Sequence, residues 1–340
     1  MAEVLLSIWY DTEDYVCPAS DDAALRIAQA HAAAGVRATF KVVGEKARVL
    51  AERGRTDVIA ALAAHDVGYH SDRHSAHPVV TEYCEPLPWP QGVDLWRRLE
   101  TDGYRDVAAI FDCQPTTYGQ AGASWAAQTY PVLREWGVRS YIDDGPWVGL
   151  DGKPFYFMGL LHTLGIGYSL RHDPRDPDSV DGALARLREA VETMRAAGGG
   201  LMQIYYHPCE WATNEFWDGV NFARGQNPPA RWQNDGYRPR VVYDYEPPRQ
   251  PSAAELAARY EALDRWLAGV ATSGARSVTC RELPELYPDT AIDAEHSLDD
   301  LLDATADWDG SVDYVRLPAG WLTAAETLLL AARLAVARAG

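Results

Sequence analysis

The sequence predicts an α/β protein, a deformed (β/α) barrel of parallel strands with helices outside. Three observations carry this. Short β-like runs alternate with amphipathic helical stretches across most of the 340 residues, the pattern of parallel strands joined by helical crossovers. Asp11, His70, Asp143 and His207 each fall immediately after such a run, and strand C-terminal ends are where α/β barrels carry their chemistry. No GxGxxG follows the first run, which counts against an open dinucleotide-binding sheet.

The elements follow in order. Val4–Tyr10 reads as the first strand. Asp21–Ala34 reads as a helix, with Asp21 or Ser20 as N-cap and Gly35 as its stop. Arg37–Val43 is a second strand, followed by helical Glu45–His65. Asp66–Tyr69 is a short strand that leads into a histidine-rich loop. Gly92–Ala109 is a helix and Ile110–Cys113 a strand. Ser124–Trp136 is a helix, ended by Gly137 before the strand Val138–Ile142. Val180–Ala197 is a long helix, stopped by Gly198-Gly199-Gly200 before the strongly β run Leu201–Tyr206. Ser252–Ala271 is a helix and Arg276–Thr279 the last strand. Residues 1–288 thus form the barrel, with a long irregular insertion at 208–250 that is rich in Pro, Asn and aromatics. Residues 289–340 form a small acidic, helical appendage. Its helical stretches, Ser297–Ala304 and Thr323–Ala339, are joined by a short strand, Val312–Arg316. The appendage caps the barrel or makes a homo-oligomer contact.

Composition narrows the functions. Hydrophobic residues make up 47% and charged residues 24%, near the globular average, which excludes disorder, collagen and coiled coil as the main state. The 31 basic against 49 acidic residues leave a net charge of −18. No basic stripe offsets that field, so nucleic acid and anionic membrane surfaces are poor partners. No run approaches the roughly 20 apolar residues of a membrane span. The opening Met1-Ala2-Glu3 lacks a basic cluster, so no signal peptide is read there. Five widely spaced cysteines without a CxxC read as reduced thiols. The expected location is cytoplasmic.

Three constellations can do chemistry. His70 and His74, four residues apart, can share one face of a helical turn and one metal. They are equally compatible with a surface histidine cluster, since His65 and His77 lie nearby. Ser71 stands where a metalloprotease helix would hold its glutamate, so any base must come from elsewhere. Tyr10-Asp11-Thr12-Glu13-Asp14 sets three carboxylates at the end of the first strand, with 11 and 13 on one side. Such a cluster needs a cation or a retained proton, unless it is a solvated acidic turn. His207, locked by Pro208 after the apolar run 201–206, suits a proton donor or a structural histidine bonded to a loop carbonyl.

Together these stretches carry a resemblance. Gly35-Val36-Arg37-Ala38-Thr39-Phe40-Lys41-Val42-Val43-Gly44, then Ala64-His65-Asp66-Val67-Gly68-Tyr69-His70-Ser71-Asp72-Arg73-His74, resembles the polysaccharide deacetylase pattern (NodB-like, carbohydrate esterase family 4), over roughly 4–285. The resemblance implies a deformed barrel holding one divalent metal, bound by an Asp and by two histidines that match His70 and His74. It implies a carboxylate of the first motif as base toward the attacking water. The usual TFDDG is here Trp9-Tyr10-Asp11-Thr12-Glu13-Asp14. This allows Asp11 as base with Glu13 on the metal, which same-side geometry favours, or Glu13 as base with Asp14 as ligand. The family's RxPxG resembles Gln114-Pro115-Thr116-Thr117-Tyr118-Gly119, so Gln114 replaces the arginine that steadies the base. That pairing is then lost, or supplied by an arginine the sequence does not identify. The fourth motif resembles Asp143-Asp144-Gly145-Pro146-Trp147, and the late leucine–histidine motif resembles Met202 to His207. His207 is the implied acid and the Tyr118 backbone N–H an oxyanion donor. Imidazoles and carboxylates point to zinc, with nickel or cobalt fitting the same ligands.

The implied substrate is an N-acetylated sugar or other small amide. The chain has 12 Trp and 18 Tyr but only 6 Phe, and amphipathic rings suit sugar faces. Asp144, Trp147 and Trp211, with Tyr118, are the expected substrate contacts. Rings from Trp211 to Tyr245 crowd the insertion, where they bind sugar or pack the insertion onto the barrel. Three alternatives stay open. One is a cyclic amide or ureide hydrolase of the same superfamily. Another is a metal-free glycosidase using Asp11 with Asp143 or Asp144. The third is a degenerate glycan-binding barrel.

Overall fold

The computed structural model describes residues 2–122, 124–142, 154–163, 170–222 and 245–289, and beyond these positions 297, 299, 314–317, 320–323, 333, 336 and 338. Nine strands form one sheet: β1 (Val4–Thr12), β2 (Thr39–Val42), β3 (Asp66–Tyr69), β4 (Thr117–Gly119), β5 (Ser140–Ile142), β6 (Phe155–Phe157), β7 (Leu160–His162), β8 (Gly200–Tyr206) and β9 (Arg276–Val278). The order is β6-β7-β5-β4-β3-β2-β1-β8, with β9 added on β1. Every described pairing in it is parallel except the β6–β7 hairpin.

Both faces of β1 are buried, as in parallel sheets covered on both sides. Side chains alternate across a strand. Leu6, Ile8 and Tyr10 face outward into the core shared with the helices. Leu5 and Trp9 face inward and meet Ile142, Leu161, Leu201, Tyr205 and Val278 from four other strands. That inner cluster is the filling of a barrel. Its two ends are tied by side chains, Gln203 Nε2 of β8 donating to Thr163 Oγ1 just after β7 at 2.8 Å. The deformation has a visible cause. β8 takes one edge of β1 along 4–10, while the other edge is divided, β9 pairing 5–7 and β2 pairing 9–12. β9 therefore fills the gap left where β2 diverges from β1.

Several expected elements differ. Helix 18–34 starts three residues early: Cys17 is its N-cap and Pro18 its first residue, while Asp14 accepts from the Val16 and Cys17 N–H groups and so fixes the turn that leads into it. The stretch 45–65 splits into helices Gly44–Glu52 and Thr56–Ala63, interrupted at Gly54, which has φ +67°. The expected strand Ile110–Cys113 is wrong. Helix Trp89–Ile110 takes its first residue, Phe111 caps that helix and 112–113 turn away from it, and β4 lies further on at 117–119. The expected helix 124–136 is a 3₁₀ turn followed by the short helix Tyr130–Glu135. The β6–β7 hairpin was not expected at all. In the appendage the strand expected at 312–316 lies at Tyr314–Leu317. It pairs antiparallel with Gly320–Thr323, which replaces the start of the expected second helix. No described helix is long and apolar enough to cross a membrane.

Candidate metal centre and active site

The site lies at the C-terminal ends of β1, β3 and β8. Asp11 continues the inward face of β1 above Leu5 and Trp9, and Glu13 follows it by one more period. β3 ends at Tyr69, so His70 opens the loop that carries His74. That loop holds Ser71 at φ +65° and His74 at φ +51°. Left-handed backbone is costly for such residues and concentrates at functional sites. Its shape is fixed by neighbours, since the N–H groups of Gly44 and Glu45 donate to the carbonyls of Ser71 and Asp72 at 2.9 and 2.8 Å. A side chain at Gly44 would meet Asp72 Oδ1 at 2.5 Å and Gly103 Cα at 2.7 Å.

Glu13, His70 and His74 converge, all buried. Glu13 Oε2 lies 3.2 Å from His70 Nε2 and 2.8 Å from His74 Nε2. His70 Nδ1 donates to the Gly119 carbonyl at 2.9 Å. His74 Nδ1 donates to Ser75 Oγ at 2.6 Å, and Ser75 Oγ passes its own proton to Asp218 Oδ2 at 2.9 Å. Both Nδ1 atoms are thus committed as donors, and both Nε2 atoms turn to one carboxylate oxygen. Neutral imidazoles would then set lone pairs against lone pairs, so positive charge must sit among these three atoms. Protons can supply it, and so can a divalent ion competing with them. One oxygen and two imidazole nitrogens, with their outer nitrogens held by hydrogen bonds, form a donor set that fits zinc or a similar ion. Burial alone would raise the Glu13 carboxyl. The charges of His74 and His207 and the hydrogen bonds of His70 and His74 outweigh it and hold Glu13 well below the ordinary carboxylate range.

Asp11 stands beside this cluster. Its Oδ1 pairs with Lys41 Nζ at 2.8 Å, and its Oδ2 lies 3.8 Å from His70 Nε2 and 3.6 Å from His207 Nε2. His207 follows β8, and its backbone N–H donates to Glu210 Oε2 at 2.9 Å. Glu210 also faces His207 Nδ1 at 3.4 Å and pairs through Oε1 with Arg171. Burial pulls the His207 imidazole down, but the charges of Glu13 and Glu210 and the Glu210 hydrogen bond raise it to about 9. Burial likewise opposes ionisation of Glu210, yet His207 and Arg171 bring it down to about 2. His207 is therefore set up as a proton donor and Glu210 as its fixed counter-charge.

The remaining expected residues lie elsewhere. Asp14 turns away from the histidines: Oδ1 accepts from the Val16 and Cys17 N–H groups at 3.0 Å, and Oδ2 accepts from Ser20 Oγ. Its carboxylate is used up in starting helix 18–34. The ring of Tyr118, as distinct from the backbone N–H expected as an oxyanion donor, points outward from β4 into the helix-side core, beside Tyr69, Trp96 and Tyr141. Trp211, expected at the substrate, is fully buried against Tyr10, Tyr206 and His172, because the turn after Pro208 folds it under the barrel wall. Asp143, Asp144 and Trp147 lie outside the described residues. Gln114 sits at the far end of β4, donating to the Trp136 carbonyl at 3.0 Å, so the cation beside Asp11 is a lysine from β2.

Five positions were missed, one of them Glu210, the counter-charge of His207. Trp217 donates its indole N–H to Glu13 Oε1 at 2.7 Å, and Ser75 and Asp218 support His74. Nothing in their spacing announced them. Lys41 did leave a signal, as a charge inside the otherwise apolar strand run 38–43, where burial requires a partner.

No protein-family model and no curated protein matches this sequence. Solved structures do. A protein assigned as a polysaccharide deacetylase from Mycobacterium smegmatis superposes with a TM-score of 0.51 at 15% identity, covering 84% of this chain and 90% of that one. The peptidoglycan deacetylase PdaC from Bacillus subtilis matches at TM-score 0.40 and 14% identity over 84% and 91% of the two chains. A family 4 carbohydrate esterase from Streptomyces lividans matches at TM-score 0.40 and 14% identity over 82% and 93%. The first of these carries the fold: this chain has the deformed parallel-strand barrel of the polysaccharide deacetylases that its sequence resembles.

Proposed function

We propose that the protein is a metal-dependent hydrolase of a C–N amide bond, acting as an N-deacetylase on an N-acetylated sugar or glycan. The observation that carries this is the meeting of Glu13 Oε2 with both imidazole Nε2 atoms, beside a second carboxylate and a third imidazole. Glu13, His70 and His74 would hold one divalent ion, zinc by donor type. When bound, such an ion acidifies water and polarises a carbonyl oxygen.

The chain's own residues do the rest. Asp11 Oδ2, the oxygen not taken by Lys41, removes a proton from the attacking water. His207, facing Asp11 from β8, delivers a proton to the departing amine nitrogen, with Glu210 balancing its charge. Acetate and a free amine leave. The acidic surface suits neutral or cationic glycans better than anionic ones.

The test is acetate release from N-acetylated chito-oligosaccharides by zinc-reconstituted protein. Release that stops with chelator and returns with metal supports the reading. Chelator-resistant glycoside cleavage, or ring opening of cyclic imides without acetate release, overturns it.

A further inference from the structure

We propose that Lys41 is the positioning residue of Asp11: its ammonium anchors one carboxylate oxygen and leaves the other aimed at His70 and His207. Asp11 and Lys41 sit opposite each other in the β1–β2 register, so both point into the barrel. Nζ meets Oδ1 at 2.8 Å, and neither side chain reaches solvent. The kinetic half of the test below rests on the hydrolytic reading; the geometry does not.

The barrel is shaped around this lysine. Its stem crosses Gly68 of β3, where an added Cβ would meet Lys41 Cγ at 3.5 Å and the Thr117 carbonyl at 3.1 Å. Its head lies against Gly119 of β4, where an added Cβ would fall 2.2 Å from Nζ. Gly119 thus leaves the space that the ammonium occupies, while at Gly68 the Thr117 carbonyl is the tighter neighbour. The Trp9 ring lies 5.6 Å from Nζ on the inner side, a cation–π contact that further fixes it. A compact point charge occupies this slot. The charge that the resembled family brings to its base from the third motif therefore arrives here from β2, and Gln114 is released to a carbonyl at the other end of β4.

The experiment uses the full chain as wild type, Lys41→Met, Asp11→Asn and the double variant. Each single change leaves one buried charge alone and the double leaves none. Chemical denaturation is expected to show a double variant no less stable than the weaker single. Stability losses that simply add overturn the pairing. With zinc bound, Lys41→Met is expected to keep stoichiometric metal and a KM within about twofold while kcat falls roughly a hundredfold, the scale of a displaced general base. An unchanged kcat, or a kcat lost together with the metal, overturns the positioning role. Wild type that releases no acetate would refute the hydrolytic reading, and the denaturation cycle would still decide the pair.

Discussion

Trp217 donates its indole N–H to Glu13 Oε1 at 2.7 Å and so leaves Oε2 as the oxygen that faces His70 and His74. The same ring lies edge-on to Tyr15 at 4.9 Å and beside His74 at 5.7 Å. The insertion after His207 therefore reaches back and orients the side chain that follows β1. Partners of this kind tune ligands as much as the ligands tune the ion.

Trp217→Phe keeps an aromatic ring against Tyr15 and His74 and removes the N–H together with part of the buried indole. It is expected to weaken metal affinity by about 10–100-fold, the usual cost of losing such a partner. Competition with a chromophoric chelator measures it. Affinity equal to wild type would show that Glu13 needs no anchor.

The next residue supports His74, one of the two imidazoles that face Glu13. Asp218 accepts from Ser75 Oγ, which accepts from His74 Nδ1. Ser75→Ala breaks the relay without adding bulk, leaving Asp218 buried with a lost partner. Metal affinity is expected to fall by about tenfold or more. Asp218→Asn, which still offers an oxygen to Ser75, is expected to fall less. The reverse ranking would point to the charge of Asp218, not the relay, as the support.

Ligands and base should separate on mutation. His70→Ala and His74→Ala are expected to lose both bound metal and activity. Asp11→Asn is expected to keep the metal and lose turnover by about 100-fold or more, as removal of a general base does. Metal content by elemental analysis, run beside acetate release, distinguishes the two groups. Normal turnover in Asp11→Asn would move the base to another carboxylate.

The sequence carried the fold through periodicity and the site through strand ends. Asp11, His70 and His207 each follow a run that reads as a strand, and Glu13 and His74 stand out by their spacing from Asp11 and His70. What was not legible depends on contacts distant in the chain. Trp217 reads as one ring among many in an aromatic insertion, and only the folded chain sets it on Glu13, 204 residues away. Trp211, six residues earlier, carries the same chemistry and ends in the core. Asp14 is indistinguishable from its neighbours as a letter, yet the turn into helix 18–34 takes both its oxygens. The failed strand at 110–113 has a local cause: four mostly apolar residues look alike whether they end a helix or form a strand.

Behind the histidine loop, Glu100 of helix Trp89–Ile110 gives a pH dependence to stability. Its Oε2 accepts from the Asp72 N–H at 2.8 Å and from Tyr69 Oη at 2.6 Å. Burial, and then the charge of Asp72, push this carboxyl up to about 8 from an ordinary value of 4.5. Between those two values the folded chain holds a proton that the unfolded chain releases. Stability must then fall as pH rises through this window and level off above it. Each tenfold step in such an equilibrium carries about 1.4 kcal/mol, so the ionised group costs the fold several kcal/mol at the upper end. Glu100→Gln keeps a carbonyl oxygen for Asp72 and Tyr69 and has no proton to lose. It is expected to match wild type near pH 4.5, to exceed it at pH 8, and to flatten the decline between them. Urea midpoints at three pH values across the window measure this. A decline of the same size in the variant would place the titrating group elsewhere.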